Sequence, residues 1–214
     1  MDFLRKEGPF QMTNTLYIRW SFFIVGLILL ALGIAMTIRG ELLGIGPWDV
    51  LHVGLFIHFG LSIGLWSITT GLLIVLATSL YSKRWPPIGT WLNMVLIGLF
   101  IDMFLWALPI VANPIAEIAL FIAGVLVMGF GVGMYIASNI GAGPRDSLML
   151  ILIEKTGWTV KRVRTLLEIV VAIIGWLLGG PVGVGTVIIA LTLGYIVHFT
   201  LPLSQKWILK LTSK

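Results

Sequence analysis

The strongest restriction on this chain is a run of side chains without charge. "SFFIVGLILLALGIAMTI", Ser21 to Ile38, contains no charged residue, and neither does "LSIGLWSITTGLLIVLATSLY", Leu61 to Tyr81. About twenty consecutive apolar residues are what a helix needs to cross the hydrocarbon core of a bilayer. Of the 214 residues, 58% are hydrophobic and 11% charged, too few polar groups to cover a water-soluble fold. The period-two alternation of an outer-membrane barrel is absent. The expected class is an all-α polytopic membrane protein, with the lipid bilayer as its first partner.

Several function classes drop out on residue types. Cysteine is absent, which removes disulfides, thiolate metal sites and a cysteine nucleophile. His52 and His58 are six residues apart on one short helix and do not share a face, so no metal site is expected. Walker, HExxH and nucleophile-elbow sequences are missing, and neither an enzyme nor a cofactor is expected. The net charge of +5 does not point to nucleic acid, because the basic residues lie in loops and termini, where membrane topology accounts for them. Residues 1–16 read as a cytoplasmic tail and not a cleavable signal. The apolar run after them is too long for a signal core, and no small-residue cleavage site follows.

The chain is duplicated. "GLILLALGIAM" from Gly26 resembles "GVLVMGFGVGM" from Gly124, repeating Gly26, Gly33 and Met36 at an offset of 98. "GIGPWD" from Gly44 returns as "GAGPRD" from Gly141 at an offset of 97, and Gly89-Thr90 with Gly98 returns as Gly185-Thr186 with Gly194 at 96. Three blocks in one order mark two repeats, 17–111 and 112–205, followed by a cytoplasmic tail, 206–214. Each repeat reads as a long helix, a short helix opened by Gly-x-Gly-Pro-x-Asp, and two more long helices. In the first these are Tyr17 to Ile38, Pro47 to His58, Leu61 to Tyr81 and Ile88 to Leu108. In the second they are Ile115 to Ala137, Pro144 to Lys155, Trp158 to Leu178 and Gly183 to Leu203. Proline suits the first helical turn, and an aspartate two residues later can cap the free N–H groups.

Charge selects between re-entrant and spanning short helices. If they return to the face they came from, thirteen of the fourteen Lys and Arg residues share one face and only Arg39 lies opposite. That face should be cytoplasmic, and it holds both termini. Three full crossings per half then turn the second half upside down. The expected plan is an inverted-topology internal repeat, each half three transmembrane helices plus one short re-entrant or half helix, as in many secondary transporters.

The duplicated Gly-x-Gly-Pro-x-Asp motif, the glycine before the next helix (Gly60, Gly157) and the Gly-Thr start of the final helix resemble the YczE/YyaS/YitT family of bacterial integral membrane proteins, closest to its YczE-like branch. The likeness runs from Tyr17 to Trp207. It implies a bacterial cytoplasmic (inner) membrane protein and supplies no catalytic residues.

The candidate substrate-binding or gating residues are those that lipid penalises. Asp49 and Asp146 read either as helix caps or, with Gly44, Gly46, Gly141 and Gly143, as two loops facing a central cavity. Arg145 replaces Trp48 at the equivalent position, and reads as a cytoplasmic charge or as an anion contact at a helix N-terminus. Glu168 lies near the middle of its helix opposite Gly71 of the other repeat, either paired with Arg164 one turn earlier or serving a transported ion. Asp102 and His198 occupy equivalent positions, as solvated interfacial groups or as symmetric gates. The nine Trp residues read as an aromatic belt. The expected function is a secondary transporter or permease-like protein for a small solute or ion. The alternative is a non-transporting scaffold supporting a biosynthetic or stress pathway. A homo-oligomer is compatible with either.

Overall fold

A computed structural model describes residues 9–212. The start of the N-terminal tail, with Arg5 and Lys6, and Lys214 at the other terminus lie outside the described residues. Among the described residues the fold is all-helical: α1 Pro9–Arg39, α2 Pro47–Phe59, α3 Ile63–Ser82, α4 Ile88–Ala107, α5 Pro114–Ser138, α6 Pro144–Thr156, α7 Val160–Leu177 and α8 Val184–Thr212, with a 3-10 turn at Glu41–Leu43. Five helices, α1, α3, α4, α5 and α8, are long and apolar enough to cross a membrane. The 18-residue α7 is not among them, since Lys161, Arg162, Arg164 and Glu168 interrupt it. The 13-residue helices α2 and α6 span only about 20 Å at 1.5 Å per residue.

Local chemistry sets the helix starts. Pro47 and Pro144 open α2 and α6, where a missing N–H costs nothing. The side chains of Ser62, Asn113 and Thr159 accept from backbone N–H groups at the starts of α3, α5 and α7. Tertiary contacts set one of the ends. The sequence ends its last helix at Leu203, but α8 continues through Pro202 to Thr212. Proline removes one backbone bond there. The helix is held across it by Thr200, whose hydroxyl donates to the Gly129 carbonyl at 2.9 Å, and by Ile208, buried with Phe22 and Ala137.

Glycines bring α1 and α5 together at the centre. A Cβ on Gly26 would lie 2.5 Å from the Tyr135 nitrogen, and one on Gly131 would lie 2.3 Å from the Leu30 nitrogen. Gly33 likewise abuts Met128 and Gly124. Residue 26 meets 131 while 33 meets 124, so the two helices run antiparallel, backbone against backbone. Phe23, Leu27, Ala31 and Ile34 complete this buried seam.

The remaining contacts arrange the helix ends. Arg39 donates to the Leu105 carbonyl, Gly40 abuts Glu117, and Leu43 abuts Gly183, which gathers the ends of α1 and α4 with the starts of α5 and α8. At the opposite end Arg19 donates to the Ser138 carbonyl, and Gly89 lies against Ile140. The two short helices start between these ends. Pro144 lies beside Gly71, midway along α3, and Lys155 lies over the Tyr81 ring at the end of α3. His52 bonds Thr70 at the middle of α3, while Ile57 reaches Gly179 just past the end of α7. Thus α2 and α6 run from mid-depth to opposite ends of the bundle. Outside, Leu73, Leu80, Trp106, Ile115, Leu177, Tyr195 and Phe199 are exposed, an apolar surface whose solvent is lipid.

Candidate functional site

The N-termini of α2 and α6 open onto one cavity of about 230 Å³. Its wall contains Gly46, Trp48 and Asp49 from the first motif and Gly143, Arg145 and Asp146 from the second. Arg164 and Glu168 of α7, Ser67 and Thr70 of α3, Asn93 of α4 and Tyr135 of α5 add polar groups. Leu30, Ile34, Met128 and Leu193 make the rest apolar. Segments more than ninety residues apart in sequence therefore place charged and polar groups in the wall of one largely apolar pocket at the middle of the bundle.

The two motif aspartates behave differently. Asp146 closes a capping box: its Oδ2 accepts from Gly143 N–H at 3.2 Å and from the Tyr135 hydroxyl at 3.0 Å. The sequence expects the same of Asp49, and there the expectation fails. The α2 start has no side-chain cap, and neither oxygen of Asp49 accepts a hydrogen bond. The carboxylate turns inward along α2, toward His52. Gly46 gives it room, since a Cβ on Gly46 would lie 2.5 Å from Asp49 Oδ2. Gly46 is needed for that space, while the left-handed backbone of the motif falls on Gly44, at φ +92.

Between the motifs, the Arg145 guanidinium carbon sits 4.6 Å from the Trp48 ring centroid, in a cation–π contact. Arg145 also lies in the field of the Asp49, Asp146 and Glu168 carboxylates. Across the cavity Arg164 Nε donates to Glu168 Oε1 at 2.9 Å, four residues along α7. Glu168 is thus both ion-paired within its helix and part of the cavity wall.

Four candidates from the sequence lie off this wall. Gly44 packs against Gly183 and Thr186, and Gly141 against Gly89 and Thr90. Each motif loop is wedged onto the Gly-Thr start of the other half's last helix. Asp102 accepts from the Ser62 hydroxyl and from Gly64 N–H at 2.7 Å, which ties α4 to the start of α3. His198 is exposed beside Phe199. Ser67, Thr70, Asn93 and Tyr135 of the wall, and His52 beside it, are not among the sequence candidates. Asn93 and Tyr135 are polar groups inside apolar helices, a signal available in the sequence. His52 was weighed only as a partner for His58, whereas it bonds Thr70.

A bundle with lipid-facing apolar helices and charged groups gathered around a central cavity is an integral membrane protein. The chain belongs to the family of unknown function DUF6198, which matches residues 17–202. It is 50% identical over 193 residues to "Uncharacterized membrane protein YczE" of Bacillus subtilis, with 90% of each chain covered. An "Uncharacterized protein" of Haemophilus influenzae is 36% identical over 190 residues, covering 85% of this chain and 82% of its own. "Uncharacterized protein YyaS" of Bacillus subtilis is 25% identical over 191 residues, covering 88% of this chain and 94% of its own. No solved structure matches significantly. The family membership agrees with the resemblance read from the repeated motifs.

Proposed function

We propose that the chain is a secondary transporter or permease for a small solute, working in the bacterial cytoplasmic membrane with both termini in the cytoplasm. In this reading α1, α3 and α4 cross the bilayer, α5, α7 and α8 cross it in the inverted sense, and α2 and α6 re-enter from opposite faces. One observation carries the proposal: the duplicated motifs, each at the start of a half-depth helix, face each other across a cavity holding two arginines and three carboxylates. Half-helix ends meeting at mid-membrane are how many inverted-repeat carriers build their substrate sites. The antiparallel Gly26/Gly131 and Gly33/Gly124 contacts fit repeats related by a two-fold axis in the membrane plane. Charges at that depth are costly, and where a membrane protein keeps them they characteristically mark an ion or solute pathway.

Alternating access gives the test, and it needs no substrate. The chain has no cysteine, so Ile74→Cys places one thiol on the cavity wall. An impermeant thiol reagent should label it in right-side-out vesicles and, separately, in inside-out vesicles. Labelling from one face only, or from neither, removes the transport reading and leaves the scaffold.

A further inference from the structure

Within α2, Asp49 and His52 face each other with nothing between them. His52 is fully buried and Asp49 nearly so. Asp49 Oδ1 and His52 Nδ1 stand 3.8 Å apart, beyond hydrogen-bond length, and both atoms are sealed from solvent and without a partner. Thr70 fixes the other imidazole nitrogen. Its hydroxyl has one hydrogen, and the carbonyls of Trp66 at 2.9 Å and Ser67 at 3.1 Å both lie within its reach. With that hydrogen on a carbonyl, Thr70 Oγ1 accepts from His52 Nε2–H, 3.0 Å away. A neutral His52 then carries its proton on Nε2 and turns a bare Nδ1 lone pair toward the carboxylate. Two acceptors facing each other in a dry space repel. One proton placed between them, on Oδ1 or on Nδ1, makes them donor and acceptor, and a small side-chain rotation closes the gap.

The surroundings leave a single charge to respond. α3 presents the Thr70 hydroxyl to His52 and adds Ser67 to the cavity wall, α7 and the turn after it meet α2 through Gly175 and Gly180, and α8 presents Ile189 to Gly46. Arg145 of α6 is the charge acting on both Asp49 and His52. Asp146 is held by Tyr135 and Gly143, and Glu168 by Arg164. Among the described residues the Arg145 guanidinium donates no hydrogen bond and pairs with no carboxylate at contact distance. Its uncommitted counter-charge is Asp49, whose Oδ2 turns toward Gly46 on the cavity wall.

We infer that Asp49 and His52 form a one-proton site, and that loading it frees Arg145 to bind an anion in the cavity. This rests on the transport reading and specifies it, with a proton as coupling ion and a small anion as solute. With the site empty, the Asp49 charge compensates Arg145 across the cavity. With a proton between Oδ1 and Nδ1 that compensation is gone, and an unpaired guanidinium is what carboxylate and phosphate groups seek. By linkage, an anion that prefers the loaded state must also promote proton binding.

The test follows the imidazole itself. Histidine-¹⁵N protein in lipid nanodiscs gives signals for its three histidines, and His52 is assigned by its loss in His52→Gln. At high pH the wild type should show a protonated Nε2 and a bare Nδ1, with Nδ1 changing in one step as pH falls. Asp49→Asn should move that step to lower pH. Acetate, small enough for any site in this cavity, should at fixed pH drive the wild-type signal toward the proton-loaded form and should have no effect in Arg145→Gln. A proton on Nδ1 with Nε2 bare, an unchanged step in Asp49→Asn, or no acetate effect overturns the proposal. None of these readouts requires transport. One-sided labelling of Ile74→Cys with this titration intact would sink the transporter and leave the proton site standing, and the converse pattern would do the reverse.

Discussion

Trp48 and Arg145 hold the same position in the two copies of one motif, and in the folded chain they touch, guanidinium over indole at 4.6 Å. Duplication supplied the backbone twice, and divergence at this one position gave the halves complementary side chains. The contact joins the two half-depth helices across the cavity, so it reports whether both motifs are in place. A cation on an indole face contributes about 0.5–2 kcal/mol, more as water is excluded. Trp48→Leu and Arg145→Gln should each lower the thermal midpoint in detergent. The double variant should lose less than the sum of the two, with a coupling of about 1 kcal/mol. Strict additivity would show that the two groups do not support each other.

The two motif aspartates should part company on mutation. Asp146→Ala removes a cap bonded to Gly143 N–H and to Tyr135, and should cost about 1 kcal/mol or somewhat more. Asp49→Asn removes a buried charge that no hydrogen bond holds but that offsets Arg145 across the cavity, so the two effects oppose and the loss should be smaller than for Asp146→Ala. Thermal unfolding of the two variants side by side decides it. Equal losses would restore the symmetric capping read from the sequence.

How far the sequence could see is set by the range of each interaction. Pro47 and Pro144 marked two helix starts to the residue, because proline acts on its own turn. The central α1–α5 seam was foreshadowed by repeated glycines seven residues apart. The unlike fates of Asp49 and Asp146 were not legible, since the six-residue motifs are nearly the same and the deciding partners, Tyr135 and His52, lie outside them. Equivalent glycines diverge for the same reason. Gly98 is pressed against Gly64 and Ile68, while Gly194 has only the end of Arg164 near it. The continuation of α8 past Pro202 depends on Ile208 finding Phe22 and Ala137, contacts that no local pattern announces.

The glycine seam makes a prediction about packing. Gly131→Ala puts a methyl 2.3 Å from the Leu30 nitrogen, against backbone that cannot rotate away. The two central helices must separate, at a cost of about 1–3 kcal/mol. Gly157→Ala should do less, because a methyl there meets nothing within 4 Å and the residue pays only for its positive φ of 66°. Thermal midpoints of the two variants should rank in that order.

The proposed topology rests on the charge split and on which helix ends gather at each end of the bundle. Ser82, Glu154 and Ala112 are exposed at helix ends or in loops. Single cysteines at Ser82 and Glu154 should be protected from an impermeant thiol reagent in intact cells, and one at Ala112 should react. Ala112 is preferable to its neighbour Asn113, whose side chain caps α5. Labelling of Ser82 from outside would mean that α2 spans the membrane, and the inverted arrangement would fall.

The last prediction separates the two roles of Glu168. Its carboxylate is paired to Arg164 within α7, with side-chain exposures of 15% for the acid and 39% for the arginine. The arginine is wet enough that the pair itself contributes modestly, about 1 kcal/mol or less. Arg164→Gln leaves a mostly buried carboxylate uncompensated and should lower the thermal midpoint. Glu168→Gln keeps an acceptor for Arg164 and a similar shape, and should leave both the midpoint and the membrane level near wild type. The double glutamine variant should recover the stability lost by Arg164→Gln, since no buried charge remains. Stability alone cannot distinguish an ion pair from a working site, so Ile74→Cys labelling from both faces is measured in the same backgrounds. If Glu168 takes part in the transport cycle, Glu168→Gln, though stable, should confine labelling to one face, because an ionisable group that must change partners has lost its charge. Two-sided labelling as in the wild type would reduce Arg164 and Glu168 to a structural pair, and leave Asp49, His52 and Arg145 as the residues on which transport has to rest.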